Sequence, residues 1–363
     1  MSEGRRQRAK AVGPAIPGER SLSSTEITEP HTVQPRRNVD IVRLRRHHIL
    51  MHRIRALELA ALRGLDDRLV LGAIHPSIGQ EGVAAGVVAA LAADDVLLST
   101  HRGHGHTLAK GAPPGAMMRE LFGRVGGSCG GKGGSMHIAD FGVGMLGANG
   151  VVAANIVIAA GAAHAIKLRR EPRVVCCLFG DGATNRGPFL EGLNWAATFH
   201  LPVMFVCEDN GFAAMTRTAA MLAGPGPVAR AESLGITAEE VDGNDVLAVD
   251  EAATRLVAAI RAGGGPRFLL ARTYRMTGHT GADPAAYRPA AEVAAKRALD
   301  PIHRAAEWLA LAGVAPAELD ADRAAAGAEM AAAYDDARAA PFPDAAEALR
   351  DVQDVGSPEQ DAY

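Results

Sequence analysis

Residues 180–212 read GDGATNRGPFLEGLNWAATFHLPVMFVCEDNGF. The apolar run VVCCLF (174–179) stops at Gly180-Asp181-Gly182. A helical segment follows, and a second apolar run, VMFVC (203–207), stops at Glu208-Asp209-Asn210. Strand, helix, strand at this spacing predicts a parallel βαβ unit, because a right-handed crossover lays both strands side by side pointing the same way. Asp181 and Asn210 then fall just past the carboxyl ends of neighbouring strands, where open α/β sheets bind ligands. A carboxylate and an amide oxygen there suit magnesium, which takes few protein oxygens and completes its shell with water and phosphate. Gly180 makes the turn, and Gly182 and Ala183 open the predicted helix, so their N–H groups face an anion at its positive end. Plain turn chemistry is the competing reading, since Gly-Asp and Asn-Gly also make ordinary turns.

The chain has 363 residues, 48% hydrophobic and 22% charged, which is ordinary for a soluble globular protein. A net charge of −3 gives no electrostatic footprint for nucleic acid. The start, MSEGRRQRAK, lacks the apolar core of a signal peptide. The most apolar segment, 150–163, is broken by Asn155 and too short to span a bilayer, so it is expected to be a buried helix, with no membrane role. Cys129, Cys176, Cys177 and Cys207 form no CxxC pair, which fits a reducing compartment and a cytoplasmic location.

Residues 1–38 mix Arg, Pro, Ser and Glu without periodicity and are expected to be a flexible tail, as are 351–363. Between them, 39–350 is expected to form one domain. Residues 42–62 carry Leu50, Ile54, Leu57 and Ala61 at helical spacing opposite Arg46, Arg53 and Arg55, with His47 and His48 expected at the surface. Strand candidates at 96–99, 174–179, 203–207 and 268–273 alternate with Ala-rich helices. The fold class expected is therefore α/β: a mainly parallel sheet with helices on both faces and helical arms at each end, the second over 301–349. Past Arg275 a polar loop, GHTGADPAAYRPA, is too long for a simple connection.

Other constellations surround this unit. Thr100-His101-Arg102-Gly103-His104-Gly105-His106 follows a strand. Three histidines raise the question of zinc, but an adjacent arginine opposes a cation, so the loop reads as anion-contacting, with Arg102 a phosphate partner and His104 and His106 hydrogen-bonded supports. Residues 126–137, GGSCGGKGGSMH, lack the order of a phosphate-binding P-loop and read as a conformationally demanding loop. Asn149-Gly150-Val151-Val152 offers backbone groups to a heterocycle. His279, on the ligand side of the sheet, reads as catalytic or phosphate-binding.

THRGHGH (100–106), GKGGSMHIAD (131–140), GMLGANGVV (144–152), the GDG…DN stretch, VDGNDV (241–246) and TYRMTGHTGADP (273–284) occur in one order over residues 42–310. Together they resemble the alpha subunit of the thiamine diphosphate-dependent first component of 2-oxo acid dehydrogenase complexes. HPSIGQE (75–81), STHRGHGH and GGSMHIADF resemble most the alpha subunits of acetoin dehydrogenases. The resemblance implies that Asp181, Asn210 and the Phe212 carbonyl hold magnesium. It implies that Gly182, Ala183, Arg102 and His279 hold the diphosphate, beside His101, where many relatives have tyrosine. It further implies that Gly150 and Val152 contact the aminopyrimidine through backbone atoms, and that His75 faces substrate. His75 and His279 are then the candidates for proton transfer or for stabilising charge.

In this family a glutamate on a second domain activates the cofactor. Glu81 and Glu191 are not obviously placed for that, so a beta subunit is expected to supply it, in an assembly of two alpha and two beta chains serving a lipoyl acyltransferase core. The expected activity is cleavage of acetoin or decarboxylation of pyruvate or a branched-chain 2-oxo acid. Asp209, Phe212, Arg186 and Asn155-Ile156 depart from the family pattern. A non-catalytic cofactor-binding or regulatory paralogue is the alternative, and a magnesium-dependent nucleotide enzyme the third reading.

Overall fold

The computed structural model describes residues 39–70 and 72–350, so both expected tails lie outside the described residues. The strands are β1 (Val96–Leu98), β2 (Met145–Gly147), β3 (Val175–Gly180), β4 (Val203–Asp209), β5 (Phe212–Ala213), β6 (Thr216–Arg217), β7 (Thr237–Asp242) and β8 (Arg267–Arg272). Six form one sheet, ordered β2-β1-β3-β4-β8-β7, with every pairing parallel. β5 and β6 make a separate antiparallel ribbon.

The helices are α1 (Ile41–Asp66), α2 (Glu81–Ala89), α3 (His104–Ala109), α4 (Pro114–Leu121), α5 (Ala154–Leu168), α6 (Gly187–Thr198), α7 (Pro227–Glu232), α8 (Val246–Arg261), α9 (Ala290–Arg297), α10 (Pro301–Leu311) and α11 (Pro316–Ala339). A strand sends successive side chains to opposite faces, and the central strands are apolar on both. Cys177, Phe179, Phe205 and Cys207 pack against Ile156 and Ala159 of α5, Phe189 and Leu193 of α6, and Ala231 of α7. Cys176, Leu178, Met204 and Val206 face the other way, onto Val83 and Val87 of α2 and Val249 to Ile260 of α8. Each fully buried phenylalanine here contributes about 1.5–3 kcal/mol. α1, α4 and α11 enclose a third apolar cluster around Ile54, Met117 and Tyr334, and α1 with α10 a fourth around Leu44 and Trp308.

β1 lies between β2 and β3, so the chain leaves β1 in one direction and β3 in the other. Such a reversal opens a crevice outside the carboxyl ends of the strands.

Several local expectations change. β2 and β7 were not legible as strands: β2 is three residues long, and β7, Thr-Ala-Glu-Glu-Val-Asp, is polar because it is an edge. Gly182 and Ala183 do not open the long helix. They sit in a 3₁₀ turn, Asp181–Asn185, and α6 starts at Gly187. The helix expected over 150–163 starts at Ala154 and is only partly buried, since Val157 and Ile158 are exposed. His47 and His48 are buried rather than superficial. His47 Nε2 meets Asp250 Oδ2 at 2.6 Å, and His48 Nε2 meets His52 Nε2 at 3.2 Å. Arg53 and Arg55 are ion-paired to Glu329 and to Glu81 and Asp300, which tie α1 to α11, α2 and α10.

Candidate active site

Loops from the carboxyl ends of β1, β2, β3, β4 and β8 line a cavity of about 580 Å³. The residues the sequence marked for metal, cofactor or substrate line it: His75, His101, Arg102, Gly150, Val152, Gly180, Asp181, Gly182, Ala183, Asn210, Phe212 and His279. Met136, Ile156, Leu178, Phe179 and Met221 add apolar wall.

Asp181 is buried at the end of β3. Its carboxylate accepts hydrogen bonds from the Thr218 hydroxyl and, at 3.1 Å, from the Gly182 N–H. Burial, with Asp209 close by, pushes its carboxyl up to about 6, although the Thr218 bond pulls the other way. Asn210, at the end of β4, accepts from the Phe212 N–H at 3.1 Å and donates to Gln80 Oε1 at 3.1 Å. Gly182 allows β5 to approach: a Cβ there would stand 2.9 Å from the Ala213 Cβ, closer than side chains pack.

Opposite this acidic corner lies a basic one. The Arg102 guanidinium donates to the Pro76 carbonyl at 2.5 Å and to the His279 carbonyl at 3.3 Å. Arg275 donates to the Ala214 carbonyl at 2.9 Å and to the Tyr287 hydroxyl at 3.3 Å. Both guanidiniums reach His279 Nδ1, at 3.4 and 3.5 Å. Among the described residues neither hydrogen-bonds a carboxylate. Burial, and then the charge of Arg275, bring Arg102 down to about 9. Arg102 feels the charges of Glu58 and Glu208, and Arg275 that of Asp181, but among the described residues no direct ion pair holds either cation.

Three imidazoles form the wall between these corners. The ring centroids of His75 lie 4.7 Å from His101 and 4.9 Å from His279, and the last two are 5.7 Å apart. Burial first, and the neighbouring Arg102 second, lower His75 and His279 to about 4 and His101 to about 2. All three are therefore neutral at physiological pH.

Residues 50–346 match the model of the Dehydrogenase E1 component family. The alpha subunit of acetoin:2,6-dichlorophenolindophenol oxidoreductase from Cupriavidus necator is 41% identical over 311 residues, covering 81% of this chain and 92% of that protein. Its counterpart in Bacillus subtilis is 43% identical over 239 residues, or 64% and 72% of the two chains. The pyruvate dehydrogenase E1 component subunit alpha of Zymomonas mobilis is 43% identical over 253 residues, or 69% and 72%. The chain belongs to the dehydrogenase E1 component family.

This E1 chain is thus an oxidoreductase of a family that works with thiamine diphosphate. Its donor set fits that cofactor. Arg102 and Arg275, hydrogen-bonded to carbonyls and not to carboxylates among the described residues, suit a diphosphate, and the carboxylate with the nearby amide oxygen suits a divalent cation.

The E1 site also rests on residues whose role the sequence concealed. Asn155 Nδ2 donates to the carbonyls of Ser99 at 2.5 Å and Gly147 at 2.9 Å, clamping the ends of β1 and β2. Gln80, Thr218 and Arg275 orient Asn210, Asp181 and His279, and only their positions beside recognised motifs pointed to them. His104 and His106 are supports on α3, not on a loop. His104 bridges Glu58 and Ser135, each at 2.9 Å, and His106 bridges Ser99 at 2.7 Å and Glu208 at 3.3 Å. The glycine-rich loop folds around a protein anion. Buried Glu120 accepts from the N–H groups of Cys129, Gly131, Gly133 and Gly134 at 2.7–3.0 Å. Neither Glu81 nor Glu191 lines the cavity: Glu81 is locked in its pair with Arg55, and Glu191 is exposed on α6.

Proposed function

We propose that this chain is the catalytic alpha subunit of a thiamine diphosphate-dependent dehydrogenase that cleaves acetoin or decarboxylates a 2-oxo acid and passes the acyl fragment to a lipoyl group. The observation that carries this reading is one cavity lined by the buried Asp181 and by Arg102 and Arg275, neither of which hydrogen-bonds a carboxylate among the described residues. Magnesium would be held by Asp181, Asn210 and the Phe212 carbonyl. The diphosphate would lie against Arg102, His279 and the backbone of Gly182 and Ala183, beside Gly180 and His101. The aminopyrimidine would lie against Gly150 and Val152.

The chemistry supplied by bound thiamine diphosphate is nucleophilic addition to a carbonyl and delocalisation of the electron pair left by carbon–carbon cleavage. The chain's own share begins with water exclusion by the apolar wall around Ile156 and Phe179. Neutral His75 and His279 hold or move the proton of the substrate oxygen; acetoin cleavage requires a base for its hydroxyl, whereas loss of carbon dioxide does not. Arg102 and Arg275 fix the His279 ring through Nδ1.

A beta subunit is part of the proposal. Asp181 and Glu208 are the only carboxylates among the described cavity-lining residues, and both are placed by β3 and β4 on the side away from Gly150. Beside Gly150, the apolar Val151 and Val152 line the cavity and are exposed, and Val157 and Ile158 are exposed on the following helix, as a surface awaiting a second chain would be. No helix among the described residues is long and apolar enough to cross a membrane. A cytoplasmic location, a lipoyl acyltransferase core and an assembly of two alpha and two beta chains complete the reading. Nothing among the described residues favours the non-catalytic alternative.

The test is co-expression with a beta subunit and assay on acetoin, pyruvate and branched-chain 2-oxo acids. Magnesium-dependent tightening of thiamine diphosphate binding, lost in Asp181→Asn, is expected. Full activity from this chain alone, or equal thermal stabilisation by a nucleotide, overturns it.

A further inference from the structure

We propose that His75, His101 and His279 form a second metal site, one that takes an imidazole-preferring ion of the zinc or copper class and not magnesium. The sequence placed three histidines together in THRGHGH, but the fold separates them: His104 and His106 turn to internal partners, and only His101 enters the cavity. There it meets His75, from the segment before α2, and His279, from the loop after β8. One ring nitrogen from each lies within 4.8 Å of the others. Three nitrogens at that spacing sit at most about 2.8 Å from a common centre, against about 2.0–2.1 Å for a zinc–imidazole bond, so each ring need move by only about 0.7 Å.

His75 Nδ1 is buried and has no hydrogen-bond partner among the described residues. Arg102 and Arg275 donate to His279 Nδ1, so ligation through Nε2 requires the ring proton to sit on Nδ1 and both guanidiniums to give up that contact. The two guanidiniums oppose any cation here, and this sets the class of ion. A hard ion gains too little from imidazole to overcome them, whereas zinc and copper bind imidazole strongly. The cavity leaves the fourth position open to water or substrate, so an ion held there obstructs the substrate side.

This inference rests on the three rings and not on the cofactor reading. Its test is titration of the full-length chain with cobalt(II) alone, followed by visible absorption. We expect the intense bands of four-coordinate cobalt at one ion per chain, displaced by zinc and untouched by excess magnesium. The bands should persist in Asp181→Asn and vanish in both His101→Tyr and His75→Gln, with folding of each variant checked by circular dichroism. Absence of the bands in the parent chain, their loss to magnesium, or their survival in either folded histidine variant overturns the site.

Discussion

Asp209 and Arg272 are register partners on β4 and β8, and Arg272 Nη1 donates to Asp209 Oδ2 at 2.8 Å. The resemblance expects asparagine where Asp209 stands, and the added charge is held by a neighbouring strand and not left loose beside Asp181. Its second oxygen accepts from the Gly211 N–H at 3.0 Å. It still raises Asp181, whose carboxyl, lifted first by burial, loses its proton at about 6.

Magnesium needs the ionised Asp181, so magnesium-dependent binding of thiamine diphosphate is expected to fall as pH drops through about 6. Asp209→Asn removes a charge that raises Asp181 and should move this acid limb to lower pH. Arg272→Ala frees the Asp209 charge and should move it to higher pH, by roughly half a unit to one unit in each case. Calorimetric titration between pH 5 and 8 measures the midpoints; unmoved midpoints in both variants contradict the assignment.

Acid should also weaken the fold itself. His75, His101 and His279 have folded values of about 4, 2 and 4, below the ordinary 6.5, so the unfolded chain binds more protons through the interval between. Stability is therefore expected to fall as pH drops from about 6.5 towards 4, by a few kcal/mol at most once solvent screening at the partly exposed His101 and His279 is allowed for. Urea midpoints at pH 7 and pH 5 give the slope. His75→Gln, His101→Gln and His279→Gln should each flatten it about equally, because all three folded values lie below that interval.

Glu120→Gln keeps the side chain's shape but turns an amide NH₂ toward backbone N–H groups. Two of the four donors then lose their acceptor, at about 1–3 kcal/mol per buried group. We expect a stability loss of about 2–4 kcal/mol with faster amide exchange confined to residues 126–137. The same exchange pattern in variant and parent would show that the carboxylate does not organise that loop.

In Gly278→Ala the added Cβ would meet the Asp283 carbonyl oxygen at 2.1 Å. The backbone must open, which breaks the 2.6 Å bond from the His279 N–H to Asp283. Activity of the assembled enzyme is expected to fall at least tenfold with circular dichroism unchanged, because the clash lies on a surface loop and not in the sheet.

The expected α/β class and the adjacent parallel strands around GDG followed from runs such as VVCCLF and VMFVC, and the first helical arm from the spacing of Leu50, Ile54, Leu57 and Ala61. Buried parallel strands are apolar on both faces, and that signal is local. β7 escaped notice because an edge strand carries charge, and β2 because three residues hold no period. Asp181 and Asn210 were legible as a pair because a βαβ unit converts their spacing into proximity.

The histidines were different. Sequence alone grouped His101 with His104 and His106, its neighbours along the chain. The resemblance already set His101 beside the diphosphate with His279 and put His75 on the substrate side, but only the tertiary structure brought the three rings into contact, in the crevice outside β1, β3 and β8. It alone decided their charge as well, since burial and the convergence of Arg102 and Arg275 make them neutral. Sequence fixes local pattern and chemistry; distance and desolvation between remote segments exist only after the sheet has ordered them.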